Sequence, residues 1–445
     1  MGYDNCIYDK IHNHPCYSEE AHYHYARIHL PVAPACNIQC NFCNRLYDCP
    51  NESRPGVTSE LLTPEEALKK VLMVAGRMPN LTVVGIAGPG DPLANRRRTF
   101  KTLELIRQNC PDMRLCISTN GLMLPDSIAQ LQALDVQHVT ITINAIDPEV
   151  GRDIYERVVY RGRRYNGVEA SRLLIERQLE GLSRSVDAGM LIKVNSVLIP
   201  GINAGHLAQV SQRVRRLGAF LHNIMPLILC QGSRYAEWGI REPTFSELKA
   251  LQDSCEAEGM GMMRHCRQCR ADAVGLLGED RYQEFTRDKI EKMEIDLNQE
   301  ERAEVQDGVA RVMERARRER EELGRDAGRP SRQRMLMAVA SKGGRMVNQH
   351  FGHAKEFMVY EVLPEEIRFV GIRRVAQFCG GPETCGDNPN LLPEVMEMLK
   401  DCRYILCSRM GALPRAKFEA AGIGVVEAYD LIETVIDRVA GYGIR

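Results

Sequence analysis

The sequence has neither a long hydrophobic run nor an excess of charge of one sign. No stretch of eighteen apolar residues occurs, and the opening residues, MGYDNCIYDKIHNHP, lack the apolar core of a secretory signal. Lys and Arg number 58 against 59 acidic residues, giving a formal net charge of -1. These absences argue against membrane insertion, export and a broad nucleic-acid surface. We therefore expect a cytoplasmic protein without membrane or nucleic-acid partners.

Cysteine is abundant. The chain has 16 cysteines in 445 residues, and without an export signal these thiols are expected to stay reduced, which favours metal binding or catalysis over a disulfide framework. With 44% hydrophobic and 26% charged residues the composition is that of a globular protein. The length suggests about two to three domains.

The pattern of predicted elements divides the chain into three regions. Residues 1–284 contain short β-rich runs that alternate with amphipathic helical stretches, which predicts an α/β fold with a parallel sheet or a partial TIM-type barrel. Residues 285–333 are highly charged with helical spacing and predict an exposed helical connector followed by a linker. Residues 334–445 predict a second, smaller α/β domain. The predicted strands of the first region are RIHLPVA, LTVVGIAG, RLCISTNG, HVTITINAI, LIKVNSVLIPG and HNIMPLI.

Three cysteines follow the first predicted strand with the spacing CxxxCxxC. Cys36, Cys40 and Cys43 lie in VAPACNIQCNFCNRLYDCPNESRPG, where three thiolates can hold an iron–sulfur cube and leave one iron open for a substrate. Zinc is the competing ligand, but tetrahedral zinc usually takes two cysteine pairs or a Cys/His set. Buried free cysteines are the third alternative. The motif resembles that of the radical S-adenosylmethionine (SAM) superfamily, including the aromatic Phe42 before the last cysteine.

Several strand ends carry residues suited to binding SAM. The loop GIAGPGDPL resembles the glycine-rich loop that holds the SAM amino group in that superfamily, and its position one βα unit after the cysteines strengthens the resemblance. Polar residues end three further strands, although each alone is equally well explained as a turn former. The predicted SAM-binding residues are Gly88, Gly90, Asp91, Ser118, Asn120, Asn144 and Asn195.

Other potential metal ligands flank this region. Cys16 precedes the three cysteines, Cys49 follows them, and Cys266 and Cys269 form a CxxC pair after the last predicted strand of the first region. Taken alone, the CxxC pair is either a zinc half-site or an ordinary turn. His29 lies on the first strand, where alternation points it away from Ile28 and Leu30, and a core histidine is the alternative to a ligand.

Long motifs extend the resemblance to one family. HPCYS, ARIHLPVAPACNIQCNFCNRLYDCPNESRPG, AGPGDPL, STNG and CRQCRADAVGLLGED closely resemble the NifB family of radical SAM proteins, which begin nitrogenase cofactor assembly. VASKGGRMVNQHFGHAKEFMVYEV resembles the NifX-like domain of nitrogenase cofactor carriers, whose fold is ribonuclease H-like. Its His350 and His353 are candidate cluster contacts, although two loop histidines are more often surface residues. Cys6 has no role that this resemblance assigns.

The NifB resemblance implies three [4Fe-4S] clusters and a lyase-type reaction. One cluster binds SAM, and two are fused, with a SAM-derived carbide and an added sulfur, into the eight-iron precursor of the nitrogenase cofactor. Guided by this resemblance, we predict the ligands of the two additional clusters. One set is Cys16, His29 and Cys49, and the other is Cys116, Cys266 and Cys269. Glu52 and Arg54 are candidates for proton transfer or polar contact, with a solvated loop as the alternative.

The implied partners are an iron–sulfur cluster donor, a downstream cofactor carrier or scaffold, and an electron donor of the ferredoxin or flavodoxin type. Two other functions share part of this pattern. A radical SAM peptide maturase would also have auxiliary clusters, but usually in a longer cysteine-rich C-terminal module, whereas only Cys379, Cys385, Cys402 and Cys407 follow here. A non-enzymatic iron–sulfur scaffold would need the cysteines but neither the glycine loop nor the strand-end asparagines.

Overall fold

The computed structural model describes residues 5–18, 21–264, 266, 268–277, 280–326, 334–341, 346–363, 367–375 and 391–440. The chain forms two compact units, Met1–Ala316 and Arg317–Arg445. Each unit has its own sheet and its own hydrophobic core.

The first unit is built on a sheet of seven strands. Six of them, in the order β1-β3-β4-β5-β8-β9, run parallel, and β10 closes one edge antiparallel to β1. A smaller antiparallel sheet has the order β2-β6-β7. The strands are β1 (Ala26–His29), β2 (Ile38–Cys40), β3 (Leu81–Ile86), β4 (Arg114–Thr119), β5 (Val136–Thr142), β6 (Tyr155–Tyr160), β7 (Arg163–Asn166), β8 (Leu191–Leu198), β9 (Leu221–Pro226) and β10 (Val274–Gly275).

Amphipathic helices connect the parallel strands and cover the sheet. In the helix 64–77, Thr63 and Glu66 form a capping box and Pro64 occupies the first turn, while Val71 and Val74 are fully buried. The helices of this unit are α1 (Asn5–Ile11), α2 (Pro64–Arg77), α3 (Arg96–Asn109), α4 (Ile128–Ala133), α5 (Pro148–Ile154), α6 (Gly167–Asp187), α7 (Leu207–Arg216), α8 (Arg234–Glu237), α9 (Phe245–Ala257) and α10 (Arg287–Lys292), and α11 (Gln299–Asp326) extends from this unit into the next.

The second unit is a five-stranded sheet with helices. Its strand order is β13-β12-β11-β14-β15, antiparallel on the β13 side and parallel on the β15 side. The elements are β11 (Met335–Val339), β12 (Glu356–Val362), β13 (Ile367–Arg374), α12 (Leu391–Leu399), β14 (Cys402–Cys407), α13 (Ala412–Ala420), β15 (Gly424–Glu427) and α14 (Ile432–Val439). The predicted fold class, an α/β fold with a partial TIM-type barrel and a second, smaller α/β unit, is confirmed.

Two features differ from the sequence-based expectation. β6 and β7 form a hairpin whose turn residues Arg161 and Gly162 both have positive φ, at 51° and 76°. The connector expected to be exposed carries a buried guanidinium, since Arg302 donates hydrogen bonds to the Leu81 carbonyl at 3.0 Å and to Asp112 at 2.5 Å. The sequence did not indicate this contact, because apolar periodicity does not show which arginine of a charged helix is buried.

Candidate functional site

The three cysteines of the CxxxCxxC motif come together at the carboxyl edge of the parallel sheet. Cys40 lies on β2, which pairs with β6, and the amide of Cys43 donates to the Cys40 carbonyl at 3.1 Å. The three cysteines line one pocket together with the glycine loop and the ends of β4 and β5. Its other lining residues are Ile38, Arg45, Cys49, Asn51, Glu52, Gly90, Asp91, Ser118, Asn120 and Thr142.

Two asparagine amides contact thiols in this pocket. Nδ2 of Asn51 lies 3.7 Å from the Sγ atoms of both Cys40 and Cys49, so this amide joins Cys49 to the motif. Nδ2 of Asn120 lies 3.7 Å from Sγ of Cys36. N–H donors of this kind tune iron–sulfur centres by stabilising charge on sulfur. Asn51 was not among the predicted site residues.

The three motif thiols are spread around one pocket. Within the described parts of the chain, no three His, Cys, Asp or Glu side chains converge on a point that one metal ion could occupy. Burial, followed by the neighbouring Cys36, raises the pKa of Cys43 to about 12, so this thiol stays protonated until a bound metal displaces its proton. A cube distributes its thiolates over separate corners, which agrees with three cysteines spread around one pocket.

Glu52 is held at the centre of the pocket by strand-end side chains. Its carboxylate accepts hydrogen bonds from the hydroxyls of Ser118 and Thr142, and from Nδ2 of Asn195 at 3.0 Å. Burial raises the pKa of Glu52 to about 7, against the opposing effect of the two hydroxyl donors. A carboxyl with this pKa exchanges a proton near neutral pH. Thr142, the last residue of β5, was not predicted, although it lies only two positions before Asn144.

Arg54 lies on the same loop but is exposed. Its backbone amide donates to the carbonyl of Cys269 at 3.0 Å. The loop after Cys49 is therefore tied to the CxxC segment by its backbone.

The glycine loop packs directly against the cysteine loop. A Cβ on Gly90 would lie 2.2 Å from the Ala35 carbonyl oxygen, and the Gly90 amide donates to the Ala33 carbonyl at 2.6 Å. Gly88 has a φ of 155°, which side chains rarely adopt. The close approach of the two loops therefore requires a glycine at position 90, whether or not this residue also contacts a ligand.

Asp91 organises the strand ends. One oxygen accepts from the amides of Leu93 and Ala94, at 2.9 and 3.0 Å. The other accepts from the Thr119 hydroxyl at 2.8 Å and the Asn120 amide at 2.6 Å. Both carboxylate oxygens are thus occupied by chain donors, and they fix the β4 end beside the cysteines.

Asn144 and Asn195 form part of a buried amide network. Asn144 donates to Oδ1 of Asn51 at 3.2 Å and accepts from the Val197 amide at 2.8 Å. Asn195 contacts the Asn51 carbonyl at 3.2 Å in addition to Glu52. The strand-end residues predicted from the sequence therefore converge on the loop Asn51–Glu52.

A second group of thiols lies further along the inner face of the sheet. Cys269 accepts a hydrogen bond from the buried Arg27 guanidinium at 3.1 Å. Burial raises the pKa of Cys16, with Cys269 and Cys266 adding to this effect and Lys193 and Arg27 opposing it. Asn51 places Cys49 beside the motif cysteine Cys40. The predicted sets of Cys16, His29 and Cys49 and of Cys116, Cys266 and Cys269 stay predictions.

His29 and Cys116 meet above Gly85. A Cβ on Gly85 would lie 2.9 Å from Sγ of Cys116 and 3.2 Å from Cδ2 of His29. Nδ1 of His29 lies 3.1 Å from the Arg270 carbonyl oxygen, and burial, followed by the charge of Arg27, lowers the pKa of His29 to about 4. A neutral ring that donates from Nδ1 keeps the Nε2 lone pair for a metal.

Two buried cations of this inner region were not predicted. Arg27 shares a face of β1 with His29, and Lys193 shares a face of β8 with Asn195. The sequence could have indicated both cations, because each lies two positions before a predicted site residue and therefore on the same face of its strand.

In the second unit, His350 and His353 lie side by side, with ring centroids 4.9 Å apart. Nδ1 of His350 accepts from the Gly352 amide at 3.0 Å, and His353 is exposed. Cys402 and Cys407 are buried in the described residues. Cys379 and Cys385 lie outside the described residues.

Two family models match the chain. The model described as "Radical SAM superfamily" matches residues 30–214. The model described as "Dinitrogenase iron-molybdenum cofactor" matches residues 333–441. The two matches fall on the two units of the structure.

Relatives of the same kind align over nearly the whole chain. The "FeMo cofactor biosynthesis protein NifB" of Frankia alni is 51% identical over 97% of this chain and 88% of its own length. The proteins of the same name from Herbaspirillum seropedicae and Azotobacter vinelandii are 53% and 51% identical over 95% and 93% of this chain, covering 81% and 84% of their own lengths. Among the residues that the structure describes, no helix combines the length and apolar character needed to cross a bilayer.

Proposed function

Because this chain belongs to the NifB family of radical SAM proteins in FeMo cofactor biosynthesis, we propose that it fuses two [4Fe-4S] clusters into the eight-iron cofactor precursor. The reaction inserts a SAM-derived carbide and one added sulfur. The observation that carries the proposal is that further potential cluster ligands lie outside the pocket of the motif cysteines: His29 meets Cys116 above Gly85, and Cys269 accepts from Arg27.

We assign the resident cluster to Cys36, Cys40 and Cys43. When bound there, this cluster supplies the electron that cleaves SAM reductively to a 5'-deoxyadenosyl radical. Asn51 and Asn120 donate towards the cysteine sulfurs, and Ser118 and the Gly88–Asp91 loop bound the space beside them. Asn144 and Asn195 both hydrogen-bond to Asn51, and Asn195 also donates to Glu52. These two asparagines therefore position the loop beside the pocket.

The two substrate clusters bind to the remaining ligands. The Arg27 guanidinium donates a hydrogen bond to one of these ligands, Cys269. His29 and Cys116 lie together above Gly85, and Cys49 lines the SAM pocket. Three protein ligands for each substrate leave both clusters incompletely held. Such clusters are easier to fuse and release than clusters bound by four thiolates.

Glu52 is the proton acceptor of this proposal. A methyl group that becomes a carbide loses three hydrogens, of which the deoxyadenosyl radical removes one and bases remove others as protons. Glu52 lies in the pocket, bridges the ends of three strands and has a pKa raised to about 7 by burial. Arg54 is exposed, and its role in polar contact stays a prediction.

The second unit is proposed to hold or pass on the finished anionic cluster, in line with its match to the cofactor family. A cluster donor, a downstream carrier and a ferredoxin- or flavodoxin-type reductant are the partners that this reaction requires.

The test is anaerobic reconstitution with ferrous iron, sulfide, SAM and a low-potential reductant. We expect about twelve iron atoms per chain, from three clusters, together with 5'-deoxyadenosine, S-adenosylhomocysteine and a carbide-containing product detected with 13C-methyl SAM. A scaffold would yield no SAM cleavage products. A peptide maturase would yield deoxyadenosine without a labelled carbide.

A further inference from the structure

Lys193 is a buried cation without an oxygen partner in the described part of the chain. It lies on β8 and is only 8% exposed. Its Nζ contacts Sδ of Met263 at 4.0 Å and lies 5.6 Å from the centroid of the Tyr17 ring. A thioether and a ring face are weak partners for an ammonium group, which carries three N–H donors.

Among the residues that the structure describes, no carboxylate forms an ion pair with Lys193. Lys193 pairs across the sheet with Thr140 on β5 and Leu221 on β9, neither of which is charged. The charge of Lys193 interacts with Glu52 and opposes the rise in the pKa of that carboxyl. The described hydrogen bonds to the Glu52 carboxylate come instead from Ser118, Thr142 and Asn195. Burying an unpaired ammonium is unfavourable unless something anionic occupies the adjoining space.

Lys193 lies beside a proposed substrate ligand, since its Nζ is 5.6 Å from the ring of Tyr17, the residue that follows Cys16. Its charge opposes the burial that raises the pKa of Cys16 and that raises the pKa of Cys116 to about 12. The same ammonium contributes, after burial and Arg27, to the lowered pKa of His29. The motif cysteines instead have Arg45 as their nearby cation.

We propose that Lys193 supplies the positive charge that binds an anionic iron–sulfur cluster at the site formed by Cys16, Cys116 and their neighbours. The proposal rests on the function proposed above and adds a residue that ligates no iron. An ammonium beside a cluster attracts its negative charge and favours its reduced state.

The test compares Lys193→Met, Lys193→Arg and the wild-type full chain after anaerobic reconstitution with ferrous iron and sulfide. Iron per chain is measured after desalting, and the potentials of all clusters are measured by EPR-monitored redox titration. We expect Lys193→Met to lose up to about four irons per chain and to bind any remaining auxiliary cluster at a more negative potential. The SAM-cluster signal should stay unchanged, and Lys193→Arg should resemble the wild type.

Lys70 offers a matched control. It is a fully buried lysine on α2 whose charged neighbours are Asp272, Glu60, Asp280 and Arg270, with no cysteine among them. Lys70→Met should therefore leave the auxiliary iron and potentials as in the wild type. If Lys70→Met loses the same iron as Lys193→Met, a general packing defect explains both and the proposal is overturned.

The remaining outcomes separate the two proposals. Unchanged iron and unchanged potentials in Lys193→Met would overturn the role of Lys193 alone. A wild-type chain that retains the iron of only one cluster would overturn the proposed function and this inference with it. If Lys193→Met fails to load even the SAM cluster, Lys193→Gln, which removes the charge but keeps a polar side chain, decides on the same two measurements.

Discussion

Nδ2 of Asn195 lies 3.0 Å from Oε2 of Glu52, so β8 is joined to the loop that follows the cysteine motif. The two residues are far apart in sequence, and the hydroxyls of Ser118 and Thr142 complete the same carboxylate site. This relationship makes Glu52 the common contact of strands β4, β5 and β8. It also places a carboxyl with a raised pKa directly beside the proposed SAM cleft.

Glu52→Gln is expected to lower formation of the carbide product by at least about a hundredfold, the usual contribution of a positioned base. Reductive SAM cleavage should largely persist, because no cluster ligand changes. The pKa of Glu52 is raised by burial to about 7, so its basic carboxylate form accumulates as pH rises through 7. Product formation in the wild type should rise over that range and then level off. A wild-type-like pH profile in Glu52→Gln would exclude Glu52 as the base.

Cys40→Ala is expected to abolish 5'-deoxyadenosine formation, because the cube loses a thiolate and SAM loses its binding site. The control is Cys255→Ala, which changes a buried cysteine of the main hydrophobic core. That variant should cleave SAM at the wild-type rate. Full deoxyadenosine yield from Cys40→Ala would rule out the assignment of the motif.

Cys266→Ala and Cys269→Ala are each expected to lower bound iron by up to about four atoms per chain. The EPR signal of the SAM cluster should remain, because neither Cys266 nor Cys269 lines the pocket of the motif cysteines. Cys269→Ala should have the larger effect, because it also leaves the buried Arg27 guanidinium without its sulfur partner. Wild-type iron content in both variants would make the CxxC pair structural.

Gly85→Ala is expected to lower auxiliary iron without removing any ligand. The new methyl group would lie 2.9 Å from Sγ of Cys116 and 3.2 Å from the His29 ring, so one of these side chains must move. Overpacking of this kind typically costs about 1–3 kcal/mol of stability. Gly308→Ala is the control, since its Cβ would meet no atom within 4 Å on helix α11. Equal iron retention in both variants would argue against a ligand role for His29 and Cys116.

Deleting residues 330–445 is expected to leave SAM cleavage and carbide formation in place, because every proposed ligand lies before residue 270. Retention or delivery of the product should weaken, as measured by the amount of cluster that co-purifies with the chain. A truncated chain that is folded and fully loaded with iron but does not cleave SAM would show that the second unit belongs to the catalytic unit.

The sequence alone predicted most elements that have a regular apolar period. Each of the six predicted strands of the first region coincides with one of β1, β3, β4, β5, β8 and β9. The pattern missed the β6–β7 hairpin, because β7 is largely exposed and arginine-rich. Strand periodicity records burial on one face, so strands that bury little leave a weak signal.

For the candidate site too, the sequence predicted one part and only the tertiary structure set the rest. The cysteine spacing and the strand-end residues are local, and they indicated the cluster and the SAM cleft without coordinates. The tertiary structure decided that Asn51 joins Cys40 to Cys49, that the Arg27 guanidinium donates to Cys269, and that His29 and Cys116 meet above Gly85. Such neighbours are set by strand order and register, which bring together residues separated by up to about 250 positions. Strand pairing sets the electrostatic environment of each ligand. A linear motif does not specify that pairing, so the environment could not be predicted from the sequence.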